Sequence, residues 1–177
     1  ASAAYHKLRH SKQWEWGQTA IAEVDYAAHL NALDGRYPSH RGLIYQALAK
    51  MAMDKHHQRS FLSEAKVSYQ DAIDRSPYIP GNYVELAKVM VALGEAFSAE
   101  RVLSRVIELE PNYLPARQGL ARLYDQSGQV EHALAEYREI FDRSTRYEGT
   151  TLSPLEKSYL KVDVVRAREI FESLNQP

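Results

Sequence analysis

No cysteine occurs in the 177-residue chain, which excludes disulfides, thiol chemistry and any cysteine-based zinc site. There is no apolar run near the roughly 18 residues needed to cross a bilayer, and no stretch composed like a signal peptide. Excess charge of either sign is also missing: 22 basic residues stand against 23 acidic ones, a net charge of −1. That balance argues against non-specific binding to nucleic acid or to an anionic membrane surface. Glycine (8), phenylalanine (4), methionine (3) and tryptophan (2) are sparse. What remains is ordinary for a globular chain with a real core, 45% hydrophobic and 25% charged, with tyrosine the common aromatic at 12. The chain opens at Ala1 rather than at methionine, which reads as a processed protein or a piece of a longer one.

The scarce glycines are informative. Tyr83, Leu86, Ala87 and Met90 form one apolar stripe at helical spacing, and Val102, Leu103, Val106 and Ile107 form another. Between them stands Gly94, which costs about 1 kcal/mol relative to alanine inside a helix. A step of 34 residues carries Leu86, Ala87, Met90, Gly94, Ala99, Leu103 and Val106 onto Leu120, Ala121, Tyr124, Gly128, Ala133, Tyr137 and Ile140, and Pro77 onto Pro111. The same offsets reach Ala65, Tyr69 and Ala72 and, near the start, Gly17, Ala22 and Tyr26. A fixed period of this length predicts stacked helix–turn–helix pairs. Gly94 and Gly128 then end first helices in a left-handed cap, small alanines allow close approach within a pair, and Pro77 and Pro111 follow second helices.

In this pattern the chain resembles the tetratricopeptide repeat family. The resemblance rests on "YVELAKVMVALGEAFSAERVLSRVIELEP" (83–111) and "GLARLYDQSGQVEHALAEYREIF" (119–141). The unit at Tyr45, Leu48, Ala49, Ala52, Ala65, Tyr69 and Ala72 is similar but longer, with 38 residues from Tyr45 to Tyr83 and the excess in "MDKHHQRSFLS". Where the family carries tryptophan, Tyr45, Tyr83 and Arg117 stand instead. The resemblance implies an all-α right-handed superhelix of about four antiparallel helix pairs. They form a single domain over 1–177, with repeats near 2–38, 39–77, 80–113 and 114–145. The first pair is the weakest, its first helix short and polar, with a turn expected at Trp14 and Trp16. Beyond 145 the period stops. Ser153, Pro154 and Glu156 read as a helix start, and Leu155, Tyr159, Val162, Val165, Ala167, Ile170 and Phe171 as the apolar face of a capping helix at about 153–174.

Catalytic signatures are missing. There is no nucleophile elbow, dinucleotide loop, phosphate-binding loop or zinc-protease motif. The carboxylates sit mostly beside lysine or arginine on polar helix faces, as in solvated helices. His6 and His10 share a helix face at i, i+4, and His56 and His57 lie in the expanded turn. With no third ligand evident, surface histidines are the plainer reading, so neither a metal nor another cofactor is expected. The chain reads as non-catalytic.

First helices of successive pairs line a concave groove in the family the chain resembles. The slots so implied are Gln46, Lys50, Met53 and Asp54, then Val84, Lys88, Val91 and Ala92, then Gln118, Arg122, Asp125 and Gln126. Lys50, Lys88 and Arg122 occupy the same slot of three units. Two readings stand side by side: a basic ladder for an extended protein or peptide partner with acidic groups, or long side chains that solvate the groove and pair with Glu85, Asp54 or Asp125. The clamp by which some family members grip Hsp70 or Hsp90 tails is not matched, because Gln46, Glu85, Pro115 and Gly119 fall at its positions. The leading expectation is a protein-interaction scaffold. The irregular early repeats and "SPYIPGNYVELA" also resemble the helical tails of bacterial O-antigen polymerases and ligases. That resemblance implies a periplasmic accessory domain with its catalytic machinery upstream. The cytoplasm and the periplasm both remain open.

Overall fold

The computed structural model describes residues 2–147, 151–162 and 164–174. Among them are nine helices and no strand: α1 Ser2–Leu30, α2 Arg36–Met51, α3 Lys55–Arg75, α4 Pro80–Leu93, α5 Ala96–Leu109, α6 Leu114–Gln126, α7 Val130–Thr145, α8 Pro154–Tyr159 and α9 Val164–Leu174. The number is the expected one, but the distribution differs at both ends. The chain divides into two compact units, residues 1–94 and 95–177.

In the first unit, α1 runs unbroken where a helix pair with a turn at Trp14 and Trp16 is expected. The physical reason is the lack of a breaker: the first proline is Pro38, and Gly17 keeps a negative φ inside the helix. Gly17 is therefore no counterpart of Gly128. It is buried, and a Cβ there would lie 2.7 Å from Leu48 Cδ2, so glycine lets α1 approach α2. Ala22 and Tyr26 do not match Ala133 and Tyr137 either, since both are exposed while the later pair is buried. Arg41 fastens the helices together, reaching Asp25 on α1 at 3.0 Å, Asp71 on α3 at 3.3 Å and the Ser68 hydroxyl at 3.1 Å.

Phe61, Leu48 and Ala49 form a core between α2 and α3, joined by Ile21, Ile44 and Tyr45. The four residues in excess of the period are absorbed as helix rather than turn. α3 starts at Lys55 and spans 21 residues, against 14 for α5, and four residues are about one α-helical turn. Only Ala52–Asp54 link α2 to α3. α4 opens with Pro80 in its first turn and closes on Gly94 at φ 87°, whose N–H donates to Met90 and Val91 carbonyls.

In the second unit α6 and α7 pack as a pair around Ala121, Ala133, Tyr137 and Ile140, all 1% exposed or less. α5 lies against α6, where Gly119 sits on Leu103. Gly128 at φ 73° stands at the turn from α6 to α7, the left-handed role expected of it. The expected capping helix is two helices. Ser153 and Glu156 make a full capping box at the start of α8, which ends at Tyr159. Leu160, Lys161 and Val162 follow α8, and α9 begins at Val164. The break lets Tyr159 pack edge-on against Tyr113, ring centroids 5.2 Å apart. Ala167, Val162, Ile170 and Phe171 meanwhile cover the cluster around Tyr137. Leu155 and Val165, expected on the apolar face, are instead 68% and 71% exposed.

Tyr124 on α6 donates its hydroxyl to Glu100 on α5 at 2.9 Å. Burial, helped by that carboxylate, pushes the phenol from 10.0 up to about 12. A raised folded pKa means the contribution to stability is complete below the ordinary value and is lost as pH climbs through the folded one. The expected outcome is a stability loss between pH 10 and about 12 that Tyr124→Phe makes shallower. Denaturant melts across that range, with absorbance titration of tyrosinate, check it.

Candidate functional site

The sites expected from sequence fall on both units, and each unit is described by itself. In the first, α2 and α4 are bridged by polar contacts. Ser39 donates to Asn82 Oδ1 at 2.9 Å. Gln46 Nε2 donates to the Tyr69 hydroxyl at 3.0 Å and to Glu85 Oε2 at 3.2 Å. Glu85 also takes Lys88 Nζ at 2.6 Å. Tyr69 is fully buried, and burial, followed by the nearby Glu85 charge, holds its phenol well above the usual tyrosine value. Gln46 is thus tied into a structural network rather than free for a partner, and Lys88 is half-neutralised by Glu85, one of the pairings anticipated for it.

Lys50, one turn beyond Gln46 at the end of α2, is exposed, and no ion pair involves it among the described residues. Met53 is 80% exposed but belongs to the link between α2 and α3, not to the first helix where the sequence places it. Val84 is only 3% exposed and contributes packing rather than contact surface. Val91 is half-buried and Ala92 exposed. Asp54 does not reach Lys50; it caps α3 and pairs with His57.

In the second unit, Gln118 is half-buried on α6, while Arg122, Asp125 and Gln126 are exposed on the same helix. Arg122 carries no ion pair among the described residues, so the anticipated pairing with Asp125 is not formed. Arg117, in the family's tryptophan slot, turns inward. It is 8% exposed and donates from Nη1 to Glu136 Oε2 on α7 at 2.9 Å. Glu139, 3.9 Å from Arg117 Nη2, is held below the usual carboxylate range first by the hydrogen bond from Arg143. This network joins α6 to α7, with Arg117 buried and Glu139 partly exposed.

The histidines divide. The side chains of His6, His10 and Trp14 lie outside the described residues. Trp16 is 64% exposed on α1, not folded into a turn. His56 and His57 have a third neighbour that sequence spacing hides: their ring nitrogens and an Asp54 carboxylate oxygen lie within 4.8 Å of one another. The signal available was Asp54 as an N-cap, which turns its side chain back over the first turn where both histidines sit.

In the second unit, α6 and α7 form a helix pair with small Ala121 and Ala133 buried between them and left-handed Gly128 at the turn. Residues 98–144 match the family model for the tetratricopeptide repeat. The match covers a single stretch of the second unit, and elsewhere the likeness is one of fold. The fold is similar to TTC0263, a thermophilic tetratricopeptide-repeat protein of Thermus thermophilus, with a TM-score of 0.70 at 20% identity over 93% of this chain and 77% of that one. It is also similar to YrrB, described as having an unusual peptide-binding site (0.53, 16% identity, 97% and 84% covered). MamA is a further likeness (0.55, 19% identity, 86% and 87% covered). A comparison with curated proteins finds no match. No helix among the described residues is long and apolar enough to cross a membrane.

Proposed function

We propose that this tetratricopeptide-repeat chain is a non-catalytic interaction scaffold that binds an extended, acidic protein segment on its first helices. What supports the reading is the exposure of Lys50 and Arg122, neither of which has an ion pair among the described residues, because surface cations on helices attract carboxylates. Lys88 adds a charge shared with Glu85, so it contributes less than Lys50 in the equivalent slot. Met53, Val91 and Ala92 supply apolar contact beside the two lysines. Asp125 sets a like-charge limit near Arg122 and favours partners whose acidic groups are spaced rather than contiguous. The fold likeness to a protein described as peptide-binding agrees with this class of function.

The test is selection of peptides from a display library against the whole chain, followed by titration with Lys50→Glu, Lys88→Glu and Arg122→Glu combined. Selected peptides are expected to be rich in aspartate and glutamate, and to bind less tightly as salt rises, because exposed charges are screened over about 8–10 Å at physiological ionic strength. The triple variant is expected to lose about tenfold in affinity, since three exposed pairs at about 0.5 kcal/mol each come to about 1.5 kcal/mol and about 1.4 kcal/mol is tenfold. Its melting temperature should fall only slightly, because Lys88→Glu breaks the ion pair to Glu85 and sets two carboxylates at i, i+3 on α4. Neutral or basic consensus peptides, or equal affinity in the variant, would contradict the proposal.

A further inference from the structure

The region that departs from the 34-residue period carries a cluster that the binding reading does not use. Asp54 caps α3, its Oδ1 accepting the His57 N–H at 2.9 Å. Its other oxygen, Oδ2, lies 2.6 Å from His57 Nδ1. The His56 ring stands edge-on to His57, centroids 5.7 Å apart at 84°. One potential ligand atom from each of the three residues falls within 4.8 Å of the others, and all three side chains are exposed.

We propose that Asp54, His56 and His57 form a surface site for a divalent transition ion of the zinc type. The donor set of two imidazole nitrogens and one carboxylate oxygen is one that such ions take. Tetrahedral ligation at roughly 2.0–2.2 Å sets donor atoms about 3.3 Å apart. The Asp54–His57 pair is already closer than that, so the ion replaces the proton between Oδ2 and Nδ1. His56 closes from the other side by rotation of an exposed side chain. Water fills what remains. The capping bond to Oδ1 can persist, so ligation does not undo the start of α3. The positive end of α3 opposes a cation, and the Asp54 charge offsets it, so the site is one of modest affinity, suited to reversible occupancy.

Zinc alone is the probe, titrated calorimetrically into the whole chain. His56→Gln/His57→Gln combined measures the background from the other five histidines. Asp54→Ser removes the ligand while keeping a capping oxygen, so a loss there cannot come from an uncapped helix if its melt is unchanged. Outer-sphere partners alone are worth about 10–100-fold in metal affinity, so the double histidine variant is expected to lose at least tenfold, and Asp54→Ser a comparable step with its melting temperature unchanged. Undetectable zinc binding by wild type, equal affinity in the histidine variant, or an unaffected Asp54→Ser would each overturn the site.

Discussion

Replacing Gly42 by valine is expected to destabilise the first unit by about 3 kcal/mol or more, the upper end for overpacking a core. Gly42 is buried on α2, and a Cβ built there would sit 2.7 Å from Tyr69 Cζ and 2.9 Å from both Cε atoms. Real Cβ atoms do not approach a ring that closely, so something must move. A flexible chain end could yield, as Leu48 can beside Gly17, but Tyr69 cannot easily do so. It is 0% exposed, and its hydroxyl holds Gln46. Substituting alanine would return up to about 1 kcal/mol of helix propensity, partly masking the clash. Valine returns less and adds two methyl groups against the ring. Its loss should spread to Gln46 and Glu85, whose contacts depend on the Tyr69 position. Denaturant melts measure the effect, and a midpoint near wild type would show that α2 and α3 are not packed as described.

Arg117→Ala is expected to cost the second unit about 2–4 kcal/mol. Breaking a buried ion pair typically costs about 3–5 kcal/mol, because one charge is left without its partner. Here the Glu136 side chain keeps 22% of its surface in water, so its carboxylate is partly re-solvated and the cost falls around and below the lower end of that range. Alanine also removes a side-chain stem packed between α6 and α7. The pair and the stem can be separated. Arg117→Met with Glu136→Gln keeps volume and removes both charges, and should recover at least half of the loss. A double-mutant cycle by denaturant melts gives the coupling. If the double variant is as unstable as the alanine variant, the cost lies in losing the Arg117–Glu136 interaction itself, not in the stem or in a stranded carboxylate.

Much of the middle of the fold is legible in the sequence because its constraints are local. Gly94 and Gly128 are left-handed, Pro77 and Pro111 follow helix ends, and Ala99, Ala133, Tyr137 and Ile140 are buried, each as the spacing implies. The errors arise where tertiary context outweighs spacing. Gly17 matches a turn glycine in register, yet it is a contact glycine, and only the Leu48 side chain across from it tells the two apart. Four extra residues before Ala65 look like a longer loop, but a helix can lengthen by a turn at little cost. At the C-terminal end, an apolar face spread over Leu155 to Phe171 reads as one helix, whereas α8 ends at Tyr159 and α9 begins at Val164, with no proline or glycine between them to announce the break. For the candidate site, slot positions located exposed Lys50 and Arg122. They could not reveal that Val84 is inward, that Gln46 is tied to Tyr69 and Glu85, or that Lys88 is paired. The Gln46 contacts depend on neighbours 23 and 39 residues away in sequence. Asp54 reads as a partner for lysine in sequence, but its side chain caps α3.

Partner recognition is proposed to fall on Lys50 of α2, Lys88 of α4 and Arg122 of α6. A photo-crosslinking side chain placed in turn at Lys50, Lys88 and Arg122, and at the exposed Arg101 and Arg138 on α5 and α7, tests it directly with one acidic peptide selected on the wild-type chain. Crosslinked product is expected from positions 50, 88 and 122 and not from 101 or 138. Product from 101 and 138 with none from the other three would contradict the account and move recognition to the second helices.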